Sequence, residues 1–202
     1  MRYMFLAGLA TLTMMSVPAT AQDLSGPYVG VAAAHSWGRS GLELGAAEQA
    51  GIDLHRLGLG YGLTGGWNVE AGDLVYGLEA DLGTPGLTSG YRSRAGDEYA
   101  GELVYLATMR GRIGYRLDTI MPYVTGGVAW GSHEVTATGP AAGSWSGVQG
   151  GYAVGIGAEL PAADDISLKL EYLYTRLEPH RFGAVSQDLE VHAFRVGLNF
   201  HF

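Results

Sequence analysis

The last twelve residues, 191–202, limit the fold more than any other stretch. His192, Phe194, Val196, Leu198, Phe200 and Phe202 hold alternate positions, and Ala193, Arg195, Gly197, Asn199 and His201 fill the places between them. That is the period of a β-strand with one apolar side and one polar side. The sequence stops on an aromatic residue of the apolar side. A bare strand edge of this kind recruits other strands and aggregates. Pairing with the chain's own first strand removes the edge, so the expectation is a closed barrel.

Seven earlier segments read the same way: residues 28–37, 57–69, 74–82, 101–116, 122–131, 148–160 and 166–176. The clearest is 57–69, where Leu57, Leu59, Tyr61, Leu63, Gly65, Trp67 and Val69 oppose Gly58, Gly60, Gly62, Thr64, Gly66 and Asn68. In 101–116 the apolar side is Leu103, Tyr105, Ala107, Met109, Ile113 and Tyr115, against Thr108, Arg110, Arg112, Gly114 and Arg116. Residues 28–37 leave the facing open, because both sides are small or apolar. Pro122 suits the first position of its strand. Short turns at 70–73, 117–121 and 161–165 alternate with longer segments, 38–55, 83–97, 132–146 and 177–189, read as loops. An even strand count with short and long connections on opposite ends is the plan of an up-and-down barrel.

Composition narrows the class. Charged residues are 16% of the chain, below the usual ~25%. The 33 glycines have no three-residue period, which excludes collagen, and 12 Tyr, 5 Phe and 4 Trp argue against disorder. Cysteine is absent, so there is no disulfide framework, and a net charge of −8 disfavours nucleic acid as a partner. Residues 1–21 read as a cleaved secretory signal: Arg2 is their only charge, an apolar stretch follows, and Ala19-Thr20-Ala21 is a small-x-small cleavage site. That leaves residues 22–202 as the barrel domain. No later run of ~20 apolar residues forms a membrane helix.

A soluble barrel alternates too, so the polar side decides between water and lipid. Here it is Gly, Ala, Thr and Asn with a few charges of both signs. That is a poor solvent surface and a good filling for a narrow lumen, and eight strands leave an interior just wide enough for side chains. The apolar side carries Leu, Val and Ile between Tyr, Trp and Phe, the pattern of a lipid-facing band with aromatic girdles. Closure also satisfies every backbone polar group, as lipid requires. The fold class expected is therefore all-β, an eight-stranded antiparallel up-and-down transmembrane β-barrel.

Four strands carry a family resemblance. Residues 109–116, Met-Arg-Gly-Arg-Ile-Gly-Tyr-Arg, resemble the RGRxGY strand of proteobacterial opacity-type outer-membrane proteins. Residues 122–129, Pro-Tyr-Val-Thr-Gly-Gly-Val-Ala, and 167–174, Ser-Leu-Lys-Leu-Glu-Tyr-Leu-Tyr, resemble two more of their strands. The closing Phe-Arg-Val-Gly-Leu-Asn-Phe of residues 194–200 resembles their last one. The likeness covers about residues 28–202 and implies a barrel similar to the OmpA transmembrane domain, in the outer membrane of a Gram-negative cell. Its implied partners are outer-membrane lipid, lipopolysaccharide and the assembly machinery, which would read Phe200 and Phe202 as an assembly signal. Nothing follows the eighth strand, so OmpA's periplasmic domain is expected to be absent. The resemblance implies no particular activity.

The inward charges are the first candidate constellation. Glu79, Asp81, Glu159 and Glu171 are matched by Arg110, Arg112, Lys169 and Arg195. Buried ions must be paired, so the plain reading is a lumen salt-bridge network that plugs the barrel. The sharper alternative is a gated path for small solutes. Histidines are the second: His35, His55, His133 and His180 gather near the long-loop end, where imidazoles could capture haem or a metal. None has helical or finger-type ligand spacing, and scattered loop histidines are usually solvated, so no cofactor and no metal is expected. His192 sits near the outer rim, but two positions on is Phe194 rather than Ser, and no Ser-His-acid set collects on one face. No enzyme activity is expected. Glu43, Glu48, Asp53, Arg92, Arg94, Asp97 and Glu98 populate the loops, where a host or surface ligand would be met. The function expected is a structural envelope role with recognition through the loops; the alternatives are a small-solute channel and a haem- or metal-capturing surface protein.

Overall fold

The computed structural model describes residues 24–44, 48–92, 98–138, 143–182 and 185–202. Residues 1–21, expected to be a signal, lie outside them. Among the described residues nine strands are formed: β1 (Gly26–Leu44), β2 (Glu48–Ala71), β3 (Leu74–Thr84), β4 (Thr88–Arg92), β5 (Glu98–Tyr115), β6 (Met121–Thr138), β7 (Gly143–Ala163), β8 (Ile166–Phe182) and β9 (Val185–His201). Each pairs antiparallel with its neighbours, and β3 pairs with β5 from Leu74↔Tyr115 to Gly83↔Leu106. β1 pairs with β9 from Tyr28↔His201 to Leu44↔Val185. Those two ladders close the wall, so the barrel has eight staves. β4 is not a stave of its own; it carries on from β3 past a break and pairs with β5 alone.

Alternation sorts the side chains as the period requires. Leu59, Tyr61, Leu63 and Trp67 of β2 and Phe194, Val196, Leu198 and Phe200 of β9 are exposed on the outside. Thr64, Asn68 and Asn199 on the same strands are buried inside. β1 is now assigned: Val29 and Val31 face out, while Tyr28 and Ser36 face in. One residue departs from the expected face. Leu103 is buried in the lumen and Val104 is exposed, because the ladder slips between Leu103 and Tyr105. A bulge shifts the strand by one residue and turns Leu103 over.

The strands also run further than expected. β3, with 11 residues, matches the ~9–11 that cross a bilayer. Most others have 17 to 24. Much of 38–55, 132–146 and 177–189, read as loops, is strand that continues the β1–β2, β6–β7 and β8–β9 ladders. The sequence of these stretches carries no sustained alternation of apolar and polar residues, so its period gives no sign of the strand.

Inside, the lumen is stacked in three layers. Leu24, Val75, Met121 and Tyr123 pack at the end with the short turns. The charged residues fill the middle. Leu87, Leu103, Leu173, Leu177, Leu189 and Val191 form an apolar layer at the other end, with Ala129 and Ala153. The last layer is a correction, since the expected interior holds Gly, Ala, Thr and Asn with a few charges, the period places Leu103 on the outer face and 177–189 reads as a loop.

Candidate functional site

The middle layer is built by inward positions of five strands. β3 supplies Glu79 and Asp81, β5 Arg110 and Arg112, β7 Glu159, β8 Lys169 and Glu171, and β9 Arg195. Residues two apart on a strand share a face, so each pair on one strand enters the lumen together. Arg110 is the hub. Its Nη2 lies 2.6 Å from Glu79 Oε1 and 2.5 Å from Asp81 Oδ2, and its Nη1 lies 3.1 Å from Glu171 Oε2. Arg195, paired with Glu171 on the neighbouring strand, holds Glu171 Oε1 at 2.9 Å and reaches Asp81 Oδ1 of β3 at 2.5 Å. Lys169 Nζ stands 2.6 Å from Glu79 Oε2 and 3.7 Å from Glu171 Oε2. Arg112 joins Glu159 at 2.5 Å and reaches Glu79 at 3.6 Å. All eight expected site residues therefore belong to one connected network, and no side chain in it is more than 10% exposed.

Taking an ion out of water costs several kcal/mol, and only good geometry with further hydrogen bonds offsets it. Those bonds come from neutral residues that the sequence reading did not single out. Tyr28 donates to Glu79 Oε2 at 2.7 Å, and Tyr123 donates to Glu171 Oε2 at 2.9 Å. Thr108 donates to Asp81 Oδ2 at 3.0 Å. The Arg112 guanidinium lies 4.4 Å from the Tyr123 ring centroid. Two glycines make room for the two tyrosines. A Cβ on Gly66 would stand 2.5 Å from the Tyr28 phenol, and one on Gly157 would stand 2.5 Å from the Tyr123 phenol. The sequence signal was present, since both tyrosines occupy inward positions opposite glycine.

Ser167, Asn199 and His201 surround Glu159. Ser167 Oγ donates to Glu159 Oε1 at 2.5 Å and Asn199 Nδ2 donates to the same oxygen at 2.8 Å. His201 Nε2 lies 2.9 Å from Ser167 Oγ and 3.4 Å from Glu159 Oε1. A serine, a histidine and an acid thus do meet on the inward face, contrary to the expectation that no such set collects. The ladder joins β8 to β9 with Ser167 opposite Asn199, next to His201. The arrangement is not that of an acyl-transfer relay. Such a relay needs the acid on the far nitrogen of the imidazole. Here the acid bonds the serine itself, His201 Nδ1 has no hydrogen-bond partner among the described residues, and Ser167 is fully buried.

The other candidates are dispersed. His35 and His192 belong to an outer cluster around Trp37, with ring centroids 6.0 Å and 5.6 Å away. Tyr172 Oη lies 2.8 Å from His192 Nδ1. His55, His133 and His180 fall in β2, β6 and β8, and their side chains lie outside the described set, as do those of Glu43, Glu48, Asp53, Arg92 and Glu98. Arg94 and Asp97 lie outside the described residues altogether. Among the described residues no group of three His, Asp or Glu is placed to hold a metal. Phe200 and Phe202 face outward on and after β9, and Phe202 N–H donates to Pro27 O at 3.1 Å.

Comparison with known proteins agrees with this architecture. The family model described as outer membrane protein beta-barrel domain matches residues 7–202. A 22 kDa outer membrane protein of Rhizobium leguminosarum is 29% identical over 159 residues, spanning 75% of this chain and 70% of that protein. A 25 kDa outer-membrane immunogenic protein of Brucella melitensis is 30% identical over 145 residues, spanning 70% of this chain and 64% of that protein. Among solved structures, Neisserial surface protein A superposes with a TM-score of 0.54 at 13% identity, over 88% of this chain and 98% of that one.

Proposed function

The chain belongs to the outer membrane protein β-barrel domain family and sits in the Gram-negative outer membrane, and on that premise we propose that it is a shut, structural barrel of the envelope. The observation that carries this reading is the ion layer. Four acids and four bases from five strands fill the lumen at one level, and each is bonded to partners across it. A hydrated solute would have to separate several buried pairs at once, each expensive to break. Outer-membrane lipid and lipopolysaccharide are the partners of its outer face. The strands that project past the bilayer offer a rigid platform for recognition at the cell surface. The name of the Brucella relative, an immunogenic protein, supports exposure of that end.

Single-channel recording in planar bilayers tests the reading. The unaltered protein is expected to give no discrete openings, whereas Arg110→Ala combined with Arg195→Ala should give them. Regular openings of the unaltered protein would replace this reading with that of a small-solute channel.

A further inference from the structure

The residues just before β1 turn into the lower mouth of the barrel, at the end with the short turns. β1 enters its two ladders at Gly26↔Asn68 and Tyr28↔His201. Gly26 has φ 93°, in the left-handed region that a residue with a Cβ rarely adopts. A Cβ there would also stand 3.0 Å from Phe202 O. Upstream of this bend Leu24 is only 6% exposed and belongs to one apolar cluster with Val75 of β3 and Met121 and Tyr123 of β6. In the ring of eight staves β6 stands opposite β1, so the cluster reaches from one side of the mouth to the other. The ion layer begins directly above, where the Tyr123 hydroxyl donates to Glu171.

Two side chains of β2 hold the backbone of Leu24. Its N–H donates to Glu70 Oε1 at 2.9 Å, and its carbonyl oxygen accepts from Asn68 Nδ2 at 3.0 Å. One residue is thus gripped by both of its backbone polar groups, as in a ladder, but by side chains. The grip is braced from β5. Arg116 Nη1 lies 2.7 Å from Glu70 Oε2, and Arg116 Nη2 donates to Gly72 O at 3.2 Å. The β1 ladders start at Gly26 and Tyr28, so Leu24 can leave this grip while every stave stays paired.

We propose that residues 24–26 are a latch that seals the lower lumen and is released without unfolding the wall. Leu24 is the plug, Gly26 the hinge, and Asn68 and Glu70 the catch. The latch is a second barrier in series with the ion layer, and the weaker of the two. Hydrogen bonds to a neutral backbone exchange with water at little net cost, whereas separating buried ion pairs is expensive. The lumen below the ion layer is therefore a compartment with its own door. That door faces the periplasm on the reading that the long strands project at the cell surface.

The chain has no cysteine, so one introduced thiol reports access without background. Val75→Cys puts a thiol behind the latch, at a position with no exposure, and Ala193→Cys puts one above the ion layer, opposite Leu173. Each is combined with Leu24→Asp, which sets a carboxylate beside Glu70, and separately with Gly26→Val, which a positive φ does not accommodate. Protein folded in detergent micelles, as judged by heat-modifiable mobility, is treated with 2-sulfonatoethyl methanethiosulfonate. Both ends meet solvent there, so neither membrane orientation nor conductance enters the readout. Val75→Cys is expected to react at least tenfold faster in either latch variant than with the latch intact, and Ala193→Cys is expected to keep its rate. A Val75→Cys rate left unchanged in a latch variant that folds would overturn the proposal. Equal acceleration at Ala193→Cys would do so too, because it would mark a general loosening of the barrel. Should Val75→Cys fail to fold, Ser167→Cys, also buried in the lower lumen, takes its place.

Discussion

Three carboxylates converge on one guanidinium at Arg110, and the side chain is fully buried. Its removal would leave Glu79, Asp81 and Glu171 in the lumen with a cation short. Losing one partner of a buried ionic group costs about 3–5 kcal/mol, because the charges left behind remain out of water. Arg110→Ala is therefore expected to lower the stability of the folded barrel by that amount, read from the urea midpoint in detergent or lipid. The Arg176–Glu190 pair is the control. Its atoms are 3.7 Å apart and its side chains are 45% and 33% exposed. Screened surface pairs contribute about 0–1 kcal/mol, so Arg176→Ala should leave the midpoint nearly unchanged. If the two substitutions prove equal, the ion layer is not what steadies the interior. The charged members of this layer were legible because alternation marks the inward face. Their bonding pattern was not, since Glu79 and Lys169 meet across 90 positions of sequence.

At the scale of the strand, β9 does two jobs. Its inward side brings Arg195, Asn199 and His201 to the charged layer, and its edge closes the barrel on β1. Phe202 stands at its end, 78% exposed to the outside. Deleting Phe202 removes few contacts of the finished fold, so the purified variant should refold with near-normal stability. In the cell it is expected to assemble poorly, because the terminal aromatic strand is what we propose the assembly machinery reads. The measurement is the fraction of unboiled protein in the outer-membrane fraction that migrates as the folded form. Normal assembly in the cell would remove Phe202 from that role. The lengths of the strands were the part least visible in advance. Periodicity located the portions with an apolar outer face and missed their extensions, whose sequence does not alternate. It also missed the reversal at Leu103, since a bulge leaves the residue types intact and changes only their count.

For the whole molecule, lipid and closure act together. A band of exposed Leu, Val, Ile and aromatic residues encircles the outside, which water cannot solvate and a bilayer can. The protein is expected to need detergent or lipid to stay in solution, and to migrate differently on electrophoresis before and after boiling. Free solubility without detergent would contradict the membrane placement. The amino-acid order alone determined the strand class, the apolar outer face, the set of inward charges and the closure of the last strand on the first. All of these follow from a two-residue period and from the penalty on a bare edge, which are local properties of the chain. Only the tertiary structure decided which acid meets which base, that an apolar chamber lies above them, that Ser167, His201 and Glu159 gather, and that β4 pairs with β5. Those depend on how eight strands are staggered around a ring, and the stagger is set by pairing between residues far apart in sequence.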